Sequence, residues 1–108
     1  SGDVVGEGFI ISHGDGSHEI GWGVHPAMWS MGLGTEIGQA LLAIAFEHIR
    51  AKRVWSKVMV ENVASAKLAR RIGMALVTTH ENYAIGHGRT GPVDIYALVA
   101  PDYYELPY

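Results

Sequence analysis

The sequence predicts an α/β domain, a mixed sheet with two helices packed on it in the order β-β-α-β-α-β-β. Two apolar, strand-like runs flank a turn near the start of the chain, and a long stretch with apolar residues at three- and four-residue steps follows them. The 108 residues, 48% hydrophobic and 18% charged, fit a single domain over residues 1–108 with one buried core.

The first two strands are expected to form an antiparallel hairpin. Apolar, β-branched residues occupy 4–12, and a second strand pattern occupies 18–25. The segment 13–17 between them, His-Gly-Asp-Gly-Ser, is rich in turn-forming residues. Pro26 ends the second strand, because proline cannot donate a ladder hydrogen bond.

A long helix is predicted at 35–50. Ile37, Leu41 and Ile44 recur at three- and four-residue steps and form one apolar stripe. Further apolar residues beside that stripe predict that the helix is buried on more than one side. A strand at 53–60 is expected to follow.

A second, shorter helix is predicted at 63–72 from the residues at its two ends. Asn62 is a favourable N-cap residue, and Gly73 fits the left-handed position that ends a helix. The last two strands are predicted at 75–83 and 93–99, with a glycine-rich loop at 86–91 between them.

Basic residues are concentrated in one part of the chain. The net charge is -3, yet seven of the eight Lys and Arg residues lie from Arg50 to Arg71 and none precedes Arg50. A local basic zone in an acidic domain indicates one anionic ligand and disfavours a nucleic-acid partner. A solvated helix face is the alternative interpretation.

Composition excludes several functional classes. The sequence has no cysteine, which excludes disulfides, thiolate metal sites and cysteine nucleophiles. His13, His18 and His25 lack the pattern of zinc ligands, so no metal is expected. No apolar run approaches the roughly 18 residues that cross a bilayer, and no signal peptide begins the chain. We therefore expect a cytoplasmic protein without a membrane partner.

Glycines mark a candidate ligand site between the second strand and the long helix. Gly21 and Gly23 lie in the strand, where glycine indicates close approach by another backbone or a ligand. Gly32 and Gly34 lie at the helix start, where amide N–H groups favour a pyrophosphate, although a tight turn also explains them. A Walker loop and a dinucleotide fingerprint are excluded, because the Gly-Lys pair and the parallel βαβ context are missing.

The segment 29–36, Trp-Ser-Met-Gly-Leu-Gly-Thr-Glu, and the helix after it resemble the acetyl-CoA loop and helix of GNAT N-acetyltransferases, most of all the RimJ/RimL type that acetylates ribosomal-protein N-termini. The resemblance continues through Asn-Val-Ala-Ser at 62–65, Ala-Arg-Arg-Ile-Gly-Met at 69–74 and the closing strand. It covers about Val5 to Pro101. The family's usual first strand, two helices and next strand are missing, so an N-terminally truncated domain is expected.

The resemblance implies direct transfer of an acetyl group from acetyl-CoA, the expected co-substrate, to a primary amine. Glu19 is the candidate base for the amine proton, and Ser65 is the candidate group that holds or protonates the thiolate. An ordinary surface carboxylate and a helix-start serine are the alternative interpretations of these residues. The residues expected to bind the coenzyme are Gly23, Val24, Met31, Gly32, Leu33, Gly34, Thr35, Asn62, Lys67 and Arg70.

Each part of the coenzyme has an expected partner under this resemblance. Backbone N–H groups near Gly23 and Val24 would stabilise the thioester oxygen as charge builds on it. The amides at 32–35 would bind the pyrophosphate, and Asn62 would bind the pantetheine arm, although helix capping also explains Asn62. The 3′-phosphate end would meet three cations, Lys67, Arg70 and Arg71.

A homodimer is expected, because a sheet without its first strands exposes an edge near Val4 that can pair with a second copy. The sequence leaves the amine acceptor open among a peptide α-amine, a polyamine, an amino sugar and an antibiotic. The alternative function is a module that binds CoA or dimerises without turnover, or an inactive fragment.

Overall fold

The computed structural model describes residues 6–24, 33–86 and 88–107. Five strands in these residues form one sheet, as predicted: β1 (Gly6–Ser12), β2 (Ser17–Val24), β3 (Arg53–Met59), β4 (Ala75–Gly86) and β5 (Arg89–Val99). The helices are α1 (Leu33–Ala43), which continues as a π-helical turn (Ile44–His48), α2 (Val63–Arg71) and a short α3 (Ala100–Tyr104).

The sheet is mixed, with the strand order β1-β2-β3-β5-β4. β1 pairs with β2, β3 with β5, and β4 with β5, all antiparallel, while β2 and β3 are parallel. Parallel neighbours need a crossover connection, and α1 supplies it. This architecture confirms the predicted α/β class and mixed sheet.

The core lies on one face of the sheet, under α1 and α2. The sheet contributes Ile20, Val54 and Tyr96, all buried, and these alternate with residues that point to the opposite face. Fully burying each large apolar side chain stabilises the fold by about 1.5–3 kcal/mol. Both helices therefore pack on the same side, and they also contact each other.

Gly38 sets how closely α1 approaches α2. A Cβ atom at Gly38 would lie 3.0 Å from Ile72 Cδ1 and 3.2 Å from Ile72 Cγ2, closer than almost all such contacts. The missing side chain therefore lets the two helix backbones pack tightly. This contact brings the first turn of α1 beside α2, where the basic residues of the shorter helix lie.

The short helix begins and ends as predicted. Asn62 Oδ1 accepts a hydrogen bond of 3.1 Å from the Ser65 backbone N–H, which is an N-cap contact. Gly73 has φ of +103°, in the left-handed region that ends a helix with little strain for glycine.

The long helix and the last strands differ from prediction at their ends. The Ile49 N–H bonds to the Ile44 carbonyl, five residues back, so the last turn is π-helical. Arg50 has φ of +63° and lies outside the helix. β4 and β5 extend into the segment predicted as a loop at 86–91. Three register irregularities between β4 and β5 disrupt the alternating pattern by which a strand is recognised in the sequence, so the prediction ends both strands too early. Helix α3 was not predicted, although Pro101 near its start is a typical signal.

β1 lies at one edge of the sheet, where the sequence predicts an exposed edge. Phe9 and Ile11 on this strand are 49% and 46% exposed, on the face opposite the helices. The predicted strand start at Val4 and the strand end at His25 lie outside the described residues.

We predict that Gly38→Val lowers the free energy of unfolding by about 1–3 kcal/mol, because the added side chain overpacks against Ile72. Valine is a better helix former than glycine, so helix propensity alone predicts a small gain. Urea unfolding measures the difference. Ala40→Val on the exposed side of α1 is the matched control, with an expected loss of about 0.5 kcal/mol. Equal effects at the two positions would contradict the packing role of Gly38.

Candidate active site

A cleft opens through the sheet where β2 and β3 diverge. The two strands pair only at Ser17–Glu19 with Arg53–Trp55, and beyond this segment each continues without pairing to the other. The cleft has a volume of about 350 Å³. The residues that line it are Phe9, Ile11, Glu19, Ile20, Gly21, Trp22, Ser56, Lys57, Val58, Met59, Asn62 and Ser65.

The cleft connects the two faces of the sheet. Ile20 and Val58 belong to the core on the helix face, whereas Glu19, Lys57 and Met59 alternate with core residues and point to the opposite face. Side chains from both faces line the same space. A molecule in the cleft can therefore be approached from the helix side and from the opposite side at once.

The hydrogen-bonding pattern of β2 shows which main-chain groups face the cleft. The Ser17 carbonyl accepts from the His13 N–H at 3.0 Å within the hairpin, and the Gly16 carbonyl accepts from the Lys52 N–H at 2.8 Å, toward β3. Backbone groups alternate in direction along a strand. Odd-numbered residues of β2 therefore bond toward β1, and even-numbered residues point toward β3 and the cleft.

This alternation gives the direction of the N–H groups near the end of β2. The Trp22 and Val24 N–H groups point toward the cleft, beyond the last residues of β2 that pair with β3. The Gly23 N–H points toward β1, where Gly23 pairs with Glu7. The N–H of Trp22, which the sequence did not single out, thus faces the cleft, and that of Gly23 does not.

Glu19 is a buried carboxylate held between two basic side chains. It is 6% exposed, so the alternative of an ordinary surface carboxylate is wrong. His13 Nε2 lies 3.1 Å from Glu19 Oε1, and Lys57 Nζ lies 3.5 Å from Glu19 Oε2. The carboxylate therefore has a fixed position at the point where the strands separate.

Lys57 links Glu19 to Tyr83 on β4. Its Nζ lies 4.8 Å from the centre of the Tyr83 ring, a cation–π distance. Burial lowers the pKa of the Lys57 ammonium, but a hydrogen bond with Tyr83 and the charge of Glu19 raise that pKa by more, so the net shift is upward. Lys57 is therefore positively charged across the neutral range.

Asn62 and Ser65 line the cleft at the start of α2, on the helix side. The Ser65 backbone N–H makes the capping contact with Asn62, so the Ser65 hydroxyl is a different group from the one used in the cap. The cap uses the Asn62 amide oxygen and leaves its amide nitrogen as a donor. Ser65 is 8% exposed. Capping and a cleft-lining position thus coexist at both residues.

A second, smaller cavity of about 150 Å³ lies between the first turn of α1 and α2. Gly34 and Thr35 line it from α1, and Lys67 and Arg71, one helical turn apart, line it from α2. Helix N-termini and cations both favour anions. The structure therefore brings together two of the expected pyrophosphate residues and two of the expected cations.

Arg70 does not line this cavity. Its guanidinium lies 5.7 Å from the centre of the Tyr96 ring, a cation–π contact on another side of α2. Lys67 and Arg71 share one helix face because they are four residues apart, while Arg70 is turned away from it. Leu33 begins α1, and Met31 and Gly32 lie outside the described residues.

Sequence reasoning missed Lys57 and Tyr83 as site residues. The signal for Lys57 is a cation in the middle of a strand that is mainly apolar. Tyr83 lies on β4, which the sheet order places two strands from β3, so no local pattern links it to the site. His13 is in the predicted turn, but the sequence does not show that it contacts Glu19.

The described residues contain neither a group of potential metal ligands nor a helix that could span a membrane. No group of three or more His, Asp or Glu side chains in residues 6–24, 33–86 and 88–107 is arranged to hold a metal ion. No helix in the same part of the chain combines the length and apolar character required to cross a membrane.

Comparisons with solved structures show that this fold recurs in other proteins. An acetyltransferase (GNAT family) from Bacillus anthracis has a TM-score of 0.82 at 23% identity, with 90% of this chain and 59% of that chain covered. Mycobacterium smegmatis RimJ in complex with CoA-disulfide has a TM-score of 0.84 at 24% identity, with 99% and 51% covered. Spermidine/spermine N-acetyltransferase SpeG from Vibrio cholerae has a TM-score of 0.82 at 17% identity, with 95% and 61% covered.

The chain thus spans between 51% and 61% of the lengths of these three proteins. At these identities the likeness shows a shared fold. The sequence itself matches the family model for the acetyltransferase (GNAT) domain over residues 2–75, which is more than half of the 108 residues. The chain therefore belongs to the GNAT acetyltransferase family, with RimJ among its structural neighbours.

Proposed function

We propose that this chain transfers an acetyl group from acetyl-CoA to a primary amine by direct attack. The observation that carries the proposal is the cleft between β2 and β3, which joins the two faces of the sheet and holds both Glu19 and Ser65. The basic cavity at the start of α1 supports it, because it offers an anion site on the helix side.

The coenzyme would lie on the helix side of the sheet. Amides of Gly34 and Thr35 and the cations Lys67 and Arg71 suit its phosphates, and charge-assisted bonds of this kind are the stronger ones. The pantetheine arm would enter the cleft past Asn62, whose amide nitrogen can donate to an arm carbonyl. The unpaired main-chain groups of β2 would bond to the arm as a neighbouring strand does.

The amine would arrive from the opposite side, where Glu19 lies. Glu19 accepts a proton from the ammonium, directly or through water, and the neutral nitrogen attacks the thioester carbonyl carbon. N–H groups of Trp22 and Val24 stabilise the oxygen as it becomes negative, and one such donor contributes about 3 kcal/mol. The C–N bond forms and the C–S bond breaks as the nitrogen gives up its second proton. The Ser65 hydroxyl donates a hydrogen bond to the departing thiolate, which takes up that proton through the hydroxyl or through water.

An α-amine is the less demanding acceptor for this chemistry. At pH 7 its deprotonation costs about 1.4 kcal/mol, whereas a lysine amine costs about 4.6 kcal/mol. SpeG among the structural neighbours is named as a spermidine/spermine N-acetyltransferase, but a fold shared at 17% identity does not identify the acceptor of this chain. The RimJ/RimL resemblance of the sequence favours a protein N-terminus over a small-molecule amine.

Calorimetry with acetyl-CoA, followed by mass-spectrometric detection of acetylated N-terminal peptides, tests the proposal. We expect binding and a mass gain of one acetyl group on the peptide. No heat at millimolar acetyl-CoA would contradict both the enzyme and any coenzyme-binding module. Binding without transfer to any amine would leave only a binding module. A cytoplasmic location and the absence of nucleic-acid and membrane partners stay predictions from the sequence.

We predict that Lys67→Met weakens acetyl-CoA binding about tenfold, because it removes a charge-assisted contact to phosphate. Arg70→Met on the same helix is the matched control, since Arg70 lies over Tyr96 and not in the basic cavity. It should change the affinity by less than about twofold. Calorimetry measures both. A larger loss for Arg70→Met would show that the coenzyme lies elsewhere on α2.

Glu19→Gln keeps the shape of the side chain and removes its basicity. We expect kcat at pH 7 to fall about a hundredfold, while acetyl-CoA affinity changes by less than about threefold. The deficit should shrink above about pH 8, where an α-amine acceptor loses its proton without help. Glu105→Gln, at an exposed position after α3, is the control. A deficit that is constant with pH would rule out the role of Glu19 as base.

We also predict that the chain is a homodimer paired through the β1 edge. Ser12 lies opposite His18 in the register, with its N–H directed away from β2 by the alternation described above, so Ser12→Pro removes an edge donor without removing a hairpin bond. Sedimentation equilibrium should show a dimer for the wild type and Ser12→Ala and a monomer for Ser12→Pro. A wild-type monomer at high concentration would contradict the prediction.

A further inference from the structure

Lys57 lies at the junction between the cleft and a neighbouring cavity of about 210 Å³. This Tyr83 cavity is lined by Lys57, Met59, Tyr83, Ala84 and Val93. Lys57 and Met59 line both spaces. Because these two side chains alternate with the core residue Val58, the Tyr83 cavity lies on the sheet face opposite the helices. It is therefore on the side from which the amine would approach Glu19.

The charged group that an arriving molecule can reach at this junction is the Lys57 ammonium, since its partner Glu19 is buried. Among the described residues that line the two spaces, Lys57 is the only cation and Glu19 the only anion. The Glu19 side chain is 7% exposed and is shared by His13 and Lys57, whereas the Lys57 side chain is 34% exposed. The carboxylate is thus enclosed by two basic groups, and the ammonium remains accessible.

We propose that the acceptor is an amine that also carries a carboxylate, and that Lys57 selects it by pairing with that carboxylate. The proposal rests on the acetyl transfer proposed above. The Tyr83 ring, Met59 and Val93 provide an apolar wall for the carbon chain between the two groups. The carboxylate can come from a small amino acid or from an acidic side chain near a peptide N-terminus. Both sources present the same group to the Lys57 ammonium.

The same geometry disfavours polycationic acceptors. A polyamine would bring a second ammonium toward Lys57, and the described lining residues offer no carboxylate for it besides the enclosed Glu19. Two ammonium groups in this space repel each other, whereas a carboxylate forms an ion pair with Lys57. Tyr83 and Glu19 favour the charged form of Lys57, so the selection should hold throughout the neutral pH range.

Two matched series of acceptors test the proposal with the complete chain. The small-molecule series is 4-aminobutyrate, 4-aminobutyramide and 1,4-diaminobutane, which differ in one terminal charge. The peptide series has C-terminally amidated peptides that differ only in glutamate, glutamine or lysine at the second position. For each compound, kcat/KM for acetyl transfer is measured, and binding is measured separately by NMR shifts of the Tyr83 ring and the Met59 methyl group.

The expected result is a preference of about fivefold for the carboxylate over the neutral member, with the cationic member last, as for a partly exposed charge pair. Lys57→Met should abolish the preference, and Lys57→Glu should reverse it. Lys57→Arg should retain it. Lys52 lies just before β3 and lines neither the cleft nor the Tyr83 cavity. Lys52→Met should therefore behave as the wild type. The series that shows the preference identifies the source of the carboxylate.

Equal kcat/KM values within each series, or a preference for the cationic member, would overturn the role of Lys57 while leaving acetyl transfer intact. Failure to bind acetyl-CoA would instead contradict the proposed function. In that case the NMR binding series still decides the role of Lys57. A carboxylate preference lost in Lys57→Met supports it, and equal binding or no binding overturns it.

Discussion

The site depends on the separation of β2 from β3. Each of these strands remains fully paired with its other neighbour. β2 pairs with β1 along the whole of Gly6–Ser12, and β3 pairs with β5 along the whole of Arg53–Met59. The ring of Phe9 covers Gly21, where a Cβ atom would lie 2.1 Å from the ring, so this packing requires glycine at that position. Within the part of the chain that the structure describes, the ends of β2 and β3 at the cleft therefore have main-chain groups that do not bond to the facing strand, and buried groups of this kind require a partner.

The two faces of the sheet divide the chemistry between them. On the helix face, the close contact at Gly38 brings the first turn of α1 beside the cations of α2, and the start of α2 places Ser65 in the cleft. On the opposite face, Glu19 and Lys57 meet the same space. A thioester in the cleft would thus have its leaving group on one side of the sheet and its nucleophile on the other, which favours an aligned attack.

Local sequence signals predicted much of the fold and part of the site. The N-cap at Asn62 and the positive φ at Gly73 are properties of single residues and their neighbours, so the sequence predicts them well. The contact of Glu19 with Lys57 joins residues far apart in the chain, and it depends on the parallel register of β2 and β3. The local composition of a strand does not determine its register with a strand far away in the chain. The direction of the Gly23 N–H depends on hairpin register for the same reason.

The proposed function requires that the space between β2 and β3 accept the pantetheine arm of CoA through the main-chain groups that face it. Amide NMR during titration with CoA tests it most directly. We expect saturable shifts at the amides of Trp22, Val24 and Lys57 and at the amides that line the cavity between α1 and α2, and no shift at Thr79 on the distant strand β4. Shifts confined to the cavity between α1 and α2, with the amides of the cleft unchanged, would contradict binding of the pantetheine arm between β2 and β3.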